Sequence, residues 1–412
     1  MNKATIRQLC PDMHSGGTPS TSQPEYWGGD IPWLSSAESG RDYIDYANQF
    51  ITQLGVDNSA ARFAEEGSVI IATAGEGKTR GQVSFLQMGA YINQSLIAMK
   101  PDSRTMLPHY LYYYLKNSYS RLRTLSGITG VRGSLSGNLL GSFEVSYPDI
   151  QEQHAIVQLL SAIDYSITNN NAICADLEAM MKLFFGYYFT QFDYPDENGM
   201  PFRSSGGKMI WSNELRRDIP RSWSVEQLGT ICDTRLGGTP DTGVEEYWGG
   251  DMPWLSSAEV AVSPILNAER RITKKGQKES ATSFAPAGSI LLSITRYIRP
   301  SILAIDACFN QSVVAVLENE TLRAPFLYPF IQSQVPRYMT LRTGAQQPHI
   351  NKDIVDSTLV LIPPQDVLAG YYDRVEPLFE QLVLSAKQSF ELTALRDFLL
   401  PMFMNGQVAI GE

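Results

Sequence analysis

The strongest chemical spelling in this chain is Ala72-Thr73-Ala74-Gly75-Glu76-Gly77-Lys78-Thr79. It fits the loose pattern of a phosphate-binding loop, with Ala in the first position, and it follows an apolar run. Such a loop wraps backbone N–H groups around nucleotide phosphates while the lysine meets their charge. That chemistry needs a helix to begin directly after the loop. Here Thr79-Arg80-Gly81-Gln82-Val83-Ser84-Phe85-Leu86 follows and alternates as a strand does. Methyl transfer to a base fares no better. The only Pro-Pro, Pro363-Pro364, lies between Ile362 and Gln365 and lacks the residues of a base-holding loop. Pro11-Asp12 with the distant Glu76-Gly77-Lys78 is nuclease-like in spelling and too short to carry a function. Cys10, Cys174, Cys232 and Cys308 form no Cys-x-x-Cys pair, and His14, His109, His154 and His349 do not cluster with them. Neither a metal site nor a disulfide framework is expected, no residue stands out as catalytic, and a reducing cytoplasm fits.

The elements that would position any polar chemistry are set by an internal repeat. Residues 26–38 and 247–259 are the same sequence except for Ile31 against Met252. Gly16-Gly17-Thr18-Pro19 recurs as Gly237-Gly238-Thr239-Pro240, Gly67-Ser68 as Gly288-Ser289, and Asn93-Gln94-Ser95 as Asn310-Gln311-Ser312. The order is kept and the spacing nearly so. Two long repeats imply two homologous domains with an approximate two-fold relation, whereas a solenoid needs many short ones. The shared Gly, Pro and Trp positions read as scaffold. Residues 69–74 and 290–295 read as buried strands, with helices near 107–122 and 325–338, so each domain is mixed α/β.

A long helical segment follows each domain. Ile156, Leu160, Ile163, Ile167, Asn170, Cys174, Leu177, Met181, Phe184 and Tyr188 step by four and three, the period of a coiled-coil seam. A helix of about 38 residues would be a rod of roughly 57 Å. The second segment carries Val375, Leu378, Leu382, Leu392, Leu395, Leu399 and Met402, with Ser385 and Ser389 interrupting the seam and Pro377 and Pro401 set to start, kink or end it. Either the two helices pair antiparallel and bury each other's seams, or each packs on its own domain; pairing is the preferred reading. Between the halves, Asn198-Gly199 and Ser204-Ser205-Gly206-Gly207 mark a linker.

Hydrophobic residues at 43% allow substantial cores, and charged residues at 18% argue against wholesale disorder. The net charge of −10, taken as a total, opposes binding to nucleic acid. The acid, however, is concentrated in the two helical segments, while residues 1–150 and 208–350 are nearly neutral and free to present local basic faces. The N-terminus has no apolar signal core and there is no long apolar run, so neither export nor membrane insertion is expected.

The order GGTP, YWGGDxPWLSS, long helix, FDYPDENGMPFRSSGG, IPRSW, second domain and second helix, with the ending ALRDFLLPMFMNGQV, resembles the specificity subunits of type I restriction-modification systems. The resemblance covers essentially the whole chain. It implies a mixed α/β (α+β) fold: two similar globular target-recognition domains separated by two long helices in an antiparallel coiled coil, with pseudo-two-fold symmetry. The boundaries would be residues 1–150 for the first recognition domain and 151–190 for the first spacer helix. A linker at 191–218, a second recognition domain at 219–365, and a second helix with its tail at 366–412 would follow. It further implies a non-catalytic, sequence-specific reader of double-stranded DNA, each domain taking one half of a bipartite target. The helices would set the unread spacer and dock two modification subunits. Those partners, and not this chain, would bring S-adenosylmethionine and methylate adenine; restriction subunits with ATP-driven translocation would join. The sequence departs in one respect: Ile219, Pro220 and Trp223 have no counterpart before Gly16, which predicts a shortened lead-in strand in the first domain.

DNA-contact candidates lie where the repeats differ, because scaffold must stay alike while reading loops diverge. Residues 75–81 stand against 295–301, and 129–137 against 343–351. These offer Lys78 and Arg80 on an expected hairpin tip, then Arg132, Arg296, Arg299, Gln346, Gln347 and His349. A third difference, Arg270, Arg271, Lys274, Lys275 and Lys278, faces a matched segment with no basic residue and suits phosphate contact. The blander role for each is a solvated surface group. The seam assigned to the helices is Ile156, Leu160, Ile163, Ile167, Leu177, Met181 and Phe184 against Leu378, Leu382, Leu392, Leu395 and Leu399. Two other functions compete: nucleotide binding through residues 72–79, and a coiled-coil scaffold that binds only protein.

Overall fold

The computed structural model describes residues 1–75, 77–127 and 133–410. The chain divides into two compact units, Met1–Ser166 with Leu392–Glu412, and Ile167–Glu391. In the first, Val69–Ala72 is buried at every residue and sits in a five-stranded sheet ordered Asp12–Ser15, Leu96–Lys100, Val69–Ala72, Val83–Leu86, Tyr43–Ile44. A strand covered on both faces needs an unbroken apolar run, which is why no alternation marks it in the sequence. Val69, Ile71, Ile97 and Met99 pack on the helix Pro108–Asn117. Ile70, Ala72, Leu96 and Ala98 pack on Leu34 and Ile92 of a second sheet, ordered Gln49–Ile51, Trp27–Leu34, Ala90–Ile92, Arg62–Ala64.

The second unit repeats this plan. Its sheets run Thr234–Leu236, Val313–Val316, Ile290–Ser293, Arg299–Ile302, and Arg270–Ile272, Trp248–Leu255, Ala307–Phe309, Ser283–Ala285. The near-identical motif explains itself locally. Trp27 and Ile31 both stand opposite Ile51, and Trp248 and Met252 both stand opposite Ile272, so each motif strand carries the same bulge. Gly28 and Gly249 take φ of 77° and 79° there. A β-carbon on Gly29 or Gly250 would lie 2.4 or 2.5 Å from the carbonyl oxygen opposite.

The lead-in strand of the first unit is not shortened. Asn2–Thr5 pairs with Glu144–Tyr147 just as Ser224–Gln227 pairs with Leu359–Ile362, residue for residue. A backbone ladder does not need the Ile-Pro-x-x-Trp side chains. In the second unit Ile219 and Pro220 belong to a preceding hairpin, Met209–Ser212 with Arg217–Pro220.

Two long helices, Ile150–Phe185 and Gln365–Met404, run without a break for 36 and 40 residues. Pro377 and Pro401 lie inside the second and neither starts nor ends it. Within the first unit Ile156 and Leu160 share a core with Leu400, Phe403 and Met404. Within the second, Asn170 donates to Gln388 at 3.5 Å, the Cys174 thiol to the Leu382 carbonyl at 3.5 Å, and the Tyr188 hydroxyl to the Gly370 carbonyl at 3.2 Å. Residue numbers rise along one helix as they fall along the other, so the helical segments pair antiparallel.

The second seam differs from its sequence expectation at the polar positions. Ser385 and Ser389 are buried and do not interrupt it. One turn before Ser385, the Leu382 carbonyl accepts from the Cys174 thiol of the facing helix. Leu395 is 45% exposed and lies off the seam. Arg396 takes that place, because its guanidinium donates to buried Asp164 at 3.0 Å. The other Asp164 oxygen accepts from the hydroxyls of Tyr43 at 2.9 Å and Tyr113 at 2.7 Å. Burial, then the nearby carboxylate, pushes the Tyr43 phenol above its usual range. With Arg396 counted, the second seam reads Leu368, Tyr371, Val375, Leu378, Leu382, Ser385, Ser389, Leu392, Arg396, Leu399 and Phe403, stepping by three and four throughout.

This register makes a stability prediction. Arg396→Ala strands a buried carboxylate and should cost about 3–5 kcal/mol. Leu395→Gln, a surface change, should stay within about 0.5 kcal/mol. Urea unfolding of the full chain measures both; a larger loss for Leu395→Gln would refute the register.

Candidate nucleic-acid interface

In the second unit the strand Ile290–Ser293 ends at Ile294, whose N–H donates to the Ser312 carbonyl at 3.0 Å and whose carbonyl accepts from Ile350 N–H at 3.0 Å. Two loops distant in sequence are thereby pinned side by side. The first exposes Arg296, Tyr297 and Arg299 while burying Ile294 and Ile298. Arg296 holds a left-handed φ of 61°, a strained conformation for a long side chain. Its N–H donates to the Pro348 carbonyl at 2.8 Å, and its own carbonyl accepts from Arg342 at 2.9 Å. The Arg299 guanidinium lies 5.0 Å from the centre of the Tyr297 ring. The second loop is a small hairpin closed by paired Thr343 and His349 backbone bonds, both 2.9 Å, with Gly344 at a φ of 97°. It lifts Gln346, Gln347 and His349 into solvent. The His349 ring is anchored by Nδ1 to the Gln347 carbonyl at 3.1 Å. Asn351 then caps the helix Lys352–Asp356.

The first unit uses the same anchor points. Thr73 N–H donates to Ser95 at 2.9 Å, and the Thr73 carbonyl accepts from Leu135 N–H at 2.9 Å. Ser136 caps the helix Gly137–Gly141 as Asn351 does in the second unit. What differs is the loop. The connection from Ala72 to Val83 is longer than its counterpart from Ser293 to Arg299. Lys78 is exposed on it. Arg80 is not a free tip residue: its guanidinium turns inward to the Gly133 carbonyl, where a charged donor satisfies a loop carbonyl. Arg123 reaches the Gly77 carbonyl at 2.5 Å, and Tyr119 donates to the Lys78 carbonyl at 2.8 Å. Arg132 lies outside the described residues. Residues 72–79 lead into the strand Val83–Leu86 and not into a helix, so the phosphate-loop spelling lacks its structural context.

The basic run in the second unit forms the strand Arg270–Ile272 and the short helix Lys274–Glu279. It occupies the place of Gln49–Ile51 and Gln53–Asp57. Its five charges are not equivalent. Arg270 stacks 3.5 Å over the Trp248 ring, Arg271 donates to the Asp251 carbonyl at 2.8 Å, and Lys275 pairs with Glu246. Hydrogen bonding between the last two holds the Lys275 ammonium above and the Glu246 carboxyl below their ordinary ranges. Lys274 and Lys278 stay exposed and form no ion pair among the described residues. Sequence reasoning missed Tyr297 and Arg342; a search restricted to the divergent segments' charged and amide groups passes over an aromatic, and Arg342 lies one residue outside its segment.

Among the described residues no three His, Cys, Asp or Glu side chains form a metal-sized cluster, and no helix is long and apolar enough to cross a membrane. Burial pushes the Cys10 thiol up to about 12 and those of Cys232 and Cys308 up to about 11, which keeps them protonated and unreactive near neutrality.

Comparison with known proteins places this geometry. The chain matches the family described as type I restriction modification DNA specificity domain over residues 1–179 and 220–382. It is 24% identical over 411 residues to the type I restriction enzyme MjaIX specificity subunit of Methanocaldococcus jannaschii, covering 97% of this chain and 92% of that one. It is 29% identical over 187 residues to the EcoR124I/EcoR124II specificity subunit of Escherichia coli, covering 44% and 46%. The crystal structure of the type I restriction-modification S subunit from M. genitalium shares the fold, with a TM-score of 0.61 at 17% identity over 97% of this chain and 94% of that one. Two copies of one mixed α/β plan, each followed by a long helix and each presenting a different loop pair on the same anchors, therefore belong to the family of specificity subunits of type I restriction-modification systems.

Proposed function

We propose that each unit reads one half of a bipartite double-stranded DNA target through its pinned loop pair. Residues 1–150 and 219–365 act as the target-recognition domains, 191–218 as their linker, and 151–190 and 366–412 as the spacer helices with the C-terminal tail. The observation that carries this reading is the common anchor. Thr73 and Ile294 hold their loop pairs by the same two backbone bonds, while the side chains the loops present share almost nothing. An invariant mount with variable tips is what two readers of different base sequences need. Gln346 and Gln347 have the paired donor and acceptor that match an adenine edge, and Arg296 and Arg299 the fork that matches guanine.

The two helices, about 54 and 60 Å long at 1.5 Å per residue, set the unread spacer and dock two modification subunits. Those partners carry S-adenosylmethionine and transfer its methyl group to adenine; restriction subunits complete the assembly. This chain contributes recognition and no bond-making step, and it works in the cytoplasm.

Two experiments test the reading. Gln346→Ala with Gln347→Ala, expressed with the modification partner, should relax only the second unit's half-site, at about 1–3 kcal/mol for each bidentate hydrogen-bond pair to a base that is removed. Methylome sequencing reads this directly, and change in both half-sites or in neither would defeat the loop assignment. Lys274→Ala with Lys278→Ala should weaken binding to every duplex alike and flatten the logarithmic salt dependence by about 0.9 for each phosphate no longer neutralised. An unchanged slope would place that helix away from DNA.

A further inference from the structure

One exposed feature is identical in the two units and is explained neither by core packing nor by sequence reading. Thr18 donates its hydroxyl to Gln94 Oε1 at 2.7 Å, and Thr239 donates to Gln311 Oε1 at 2.6 Å. All four side chains are exposed. The local structure around each pair is also duplicated. Asn93 and Asn310 accept from the N–H groups of Ser95 and Ser312 at 3.0 and 3.1 Å, turns that fix the intervening glutamine. Thr18 and Thr239 follow glycines held under tryptophan, since Trp33 Nε1 donates to the Gly17 carbonyl at 3.1 Å and Trp254 Nε1 to the Gly238 carbonyl at 3.2 Å.

The position matters as much as the repetition. Ser95 and Ser312, one residue beyond each glutamine, are the acceptors that anchor Thr73 and Ile294, from which the reading loops spring. Each pair therefore stands at the loop end of its own sheet. Its chemistry is defined by the hydrogen bond within it. With Oε1 engaged by the threonine hydroxyl, the glutamine is oriented so that its neutral NH2 is the group offered outward. A donor that is the same in both units cannot distinguish two different half-sites. It suits what the half-sites share, the phosphodiester backbone.

We propose that Thr18–Gln94 and Thr239–Gln311 are sequence-independent clamps, each glutamine amide donating to a backbone phosphate oxygen of the half-site that its unit reads, with the threonine as its positioning residue. This rests on the loop-reading function proposed above. A neutral donor adds no charge at the phosphate, so it contributes affinity without contributing to the salt slope, unlike Lys274 and Lys278.

The test uses the full chain assembled with its modification subunits. Two synthetic duplexes of equal length serve as probes, one carrying the target that methylome sequencing identifies and one scrambled. Gln94→Ala and Gln311→Ala should each weaken both duplexes by about tenfold, with unchanged salt slope, methylated sequence and melting temperature. Gln94→Glu and Gln311→Glu keep the acceptor for threonine but face the phosphate with a carboxylate, and should bind more weakly still. Wild-type affinity in the alanine variants, or glutamate variants as tight as wild type, would overturn the clamp. So would a changed methylated sequence, which would make the glutamines base readers, or a defect confined to assembly with the modification subunits, which would make the pair a protein contact. The loop-reading function fails separately, if the unaltered assembly binds the target no better than the scrambled duplex.

Discussion

The close approach of backbone to backbone beneath each tryptophan is the constraint on which the rest of each unit depends. A β-carbon on Gly16 would fall 1.8 Å from the Ile92 carbonyl oxygen, and one on Gly17 would fall 2.6 Å from the Ala60 carbonyl carbon. Gly237 and Gly238 are as tightly enclosed, at 2.3 Å from Asn310 and 2.4 Å from Ala281. Trp33 and Trp254 close over them with indole hydrogen bonds, each in edge-to-face contact with a second tryptophan, Trp27 or Trp248, at 5.1 and 5.2 Å between ring centres. This knot ties the motif strand to the Asn-Gln-Ser turn, and that turn anchors the loops. Any side chain at the glycines would open it. The two units have kept it almost letter for letter while their loops diverged.

The helices obey a different rule. Their seams need a period more than they need hydrophobicity. In the first unit the seam tolerates Arg396 because Asp164 accepts from its guanidinium, while the Tyr43 and Tyr113 hydroxyls donate to the other Asp164 oxygen. In the second unit, Glu178 receives Tyr328 at 2.9 Å and Gln332 at 2.6 Å, a related use of a carboxylate to receive an aromatic hydroxyl from the domain's own helix. Polar contacts of this kind fix one register where an all-leucine seam would slide.

The duplication was legible because the tryptophan–glycine knot leaves no freedom at its positions, so the repeat is nearly identical. The first helical seam was legible because most of its inward positions are apolar. The second was not. Ser385, Ser389 and Arg396 are polar letters in buried places, and a pattern search has no means of seeing that Asp164, hundreds of residues earlier, supplies the partner. Loop divergence singled out two segments of the second unit that are distant in sequence, and the structure brings residues 294–299 beside 343–350. It misjudged Arg80, since the Gly133 carbonyl that draws the side chain inward is distant in sequence. It also treated the basic run as five equal charges, although Trp248 and Glu246 engage two of them.

Recognition, on this account, resides in the loop pairs and not in the mounts that carry them. The most direct measurement exchanges them: residues 294–299 and 341–350 of the second unit are replaced by residues 73–82 and 126–135 of the first, and the methylome of cells expressing this chain with its modification partner is sequenced. The expected result is that both half-sites of the methylated target now carry the sequence read by the first unit. Methylation at the original target, with the second half-site unchanged, would contradict it.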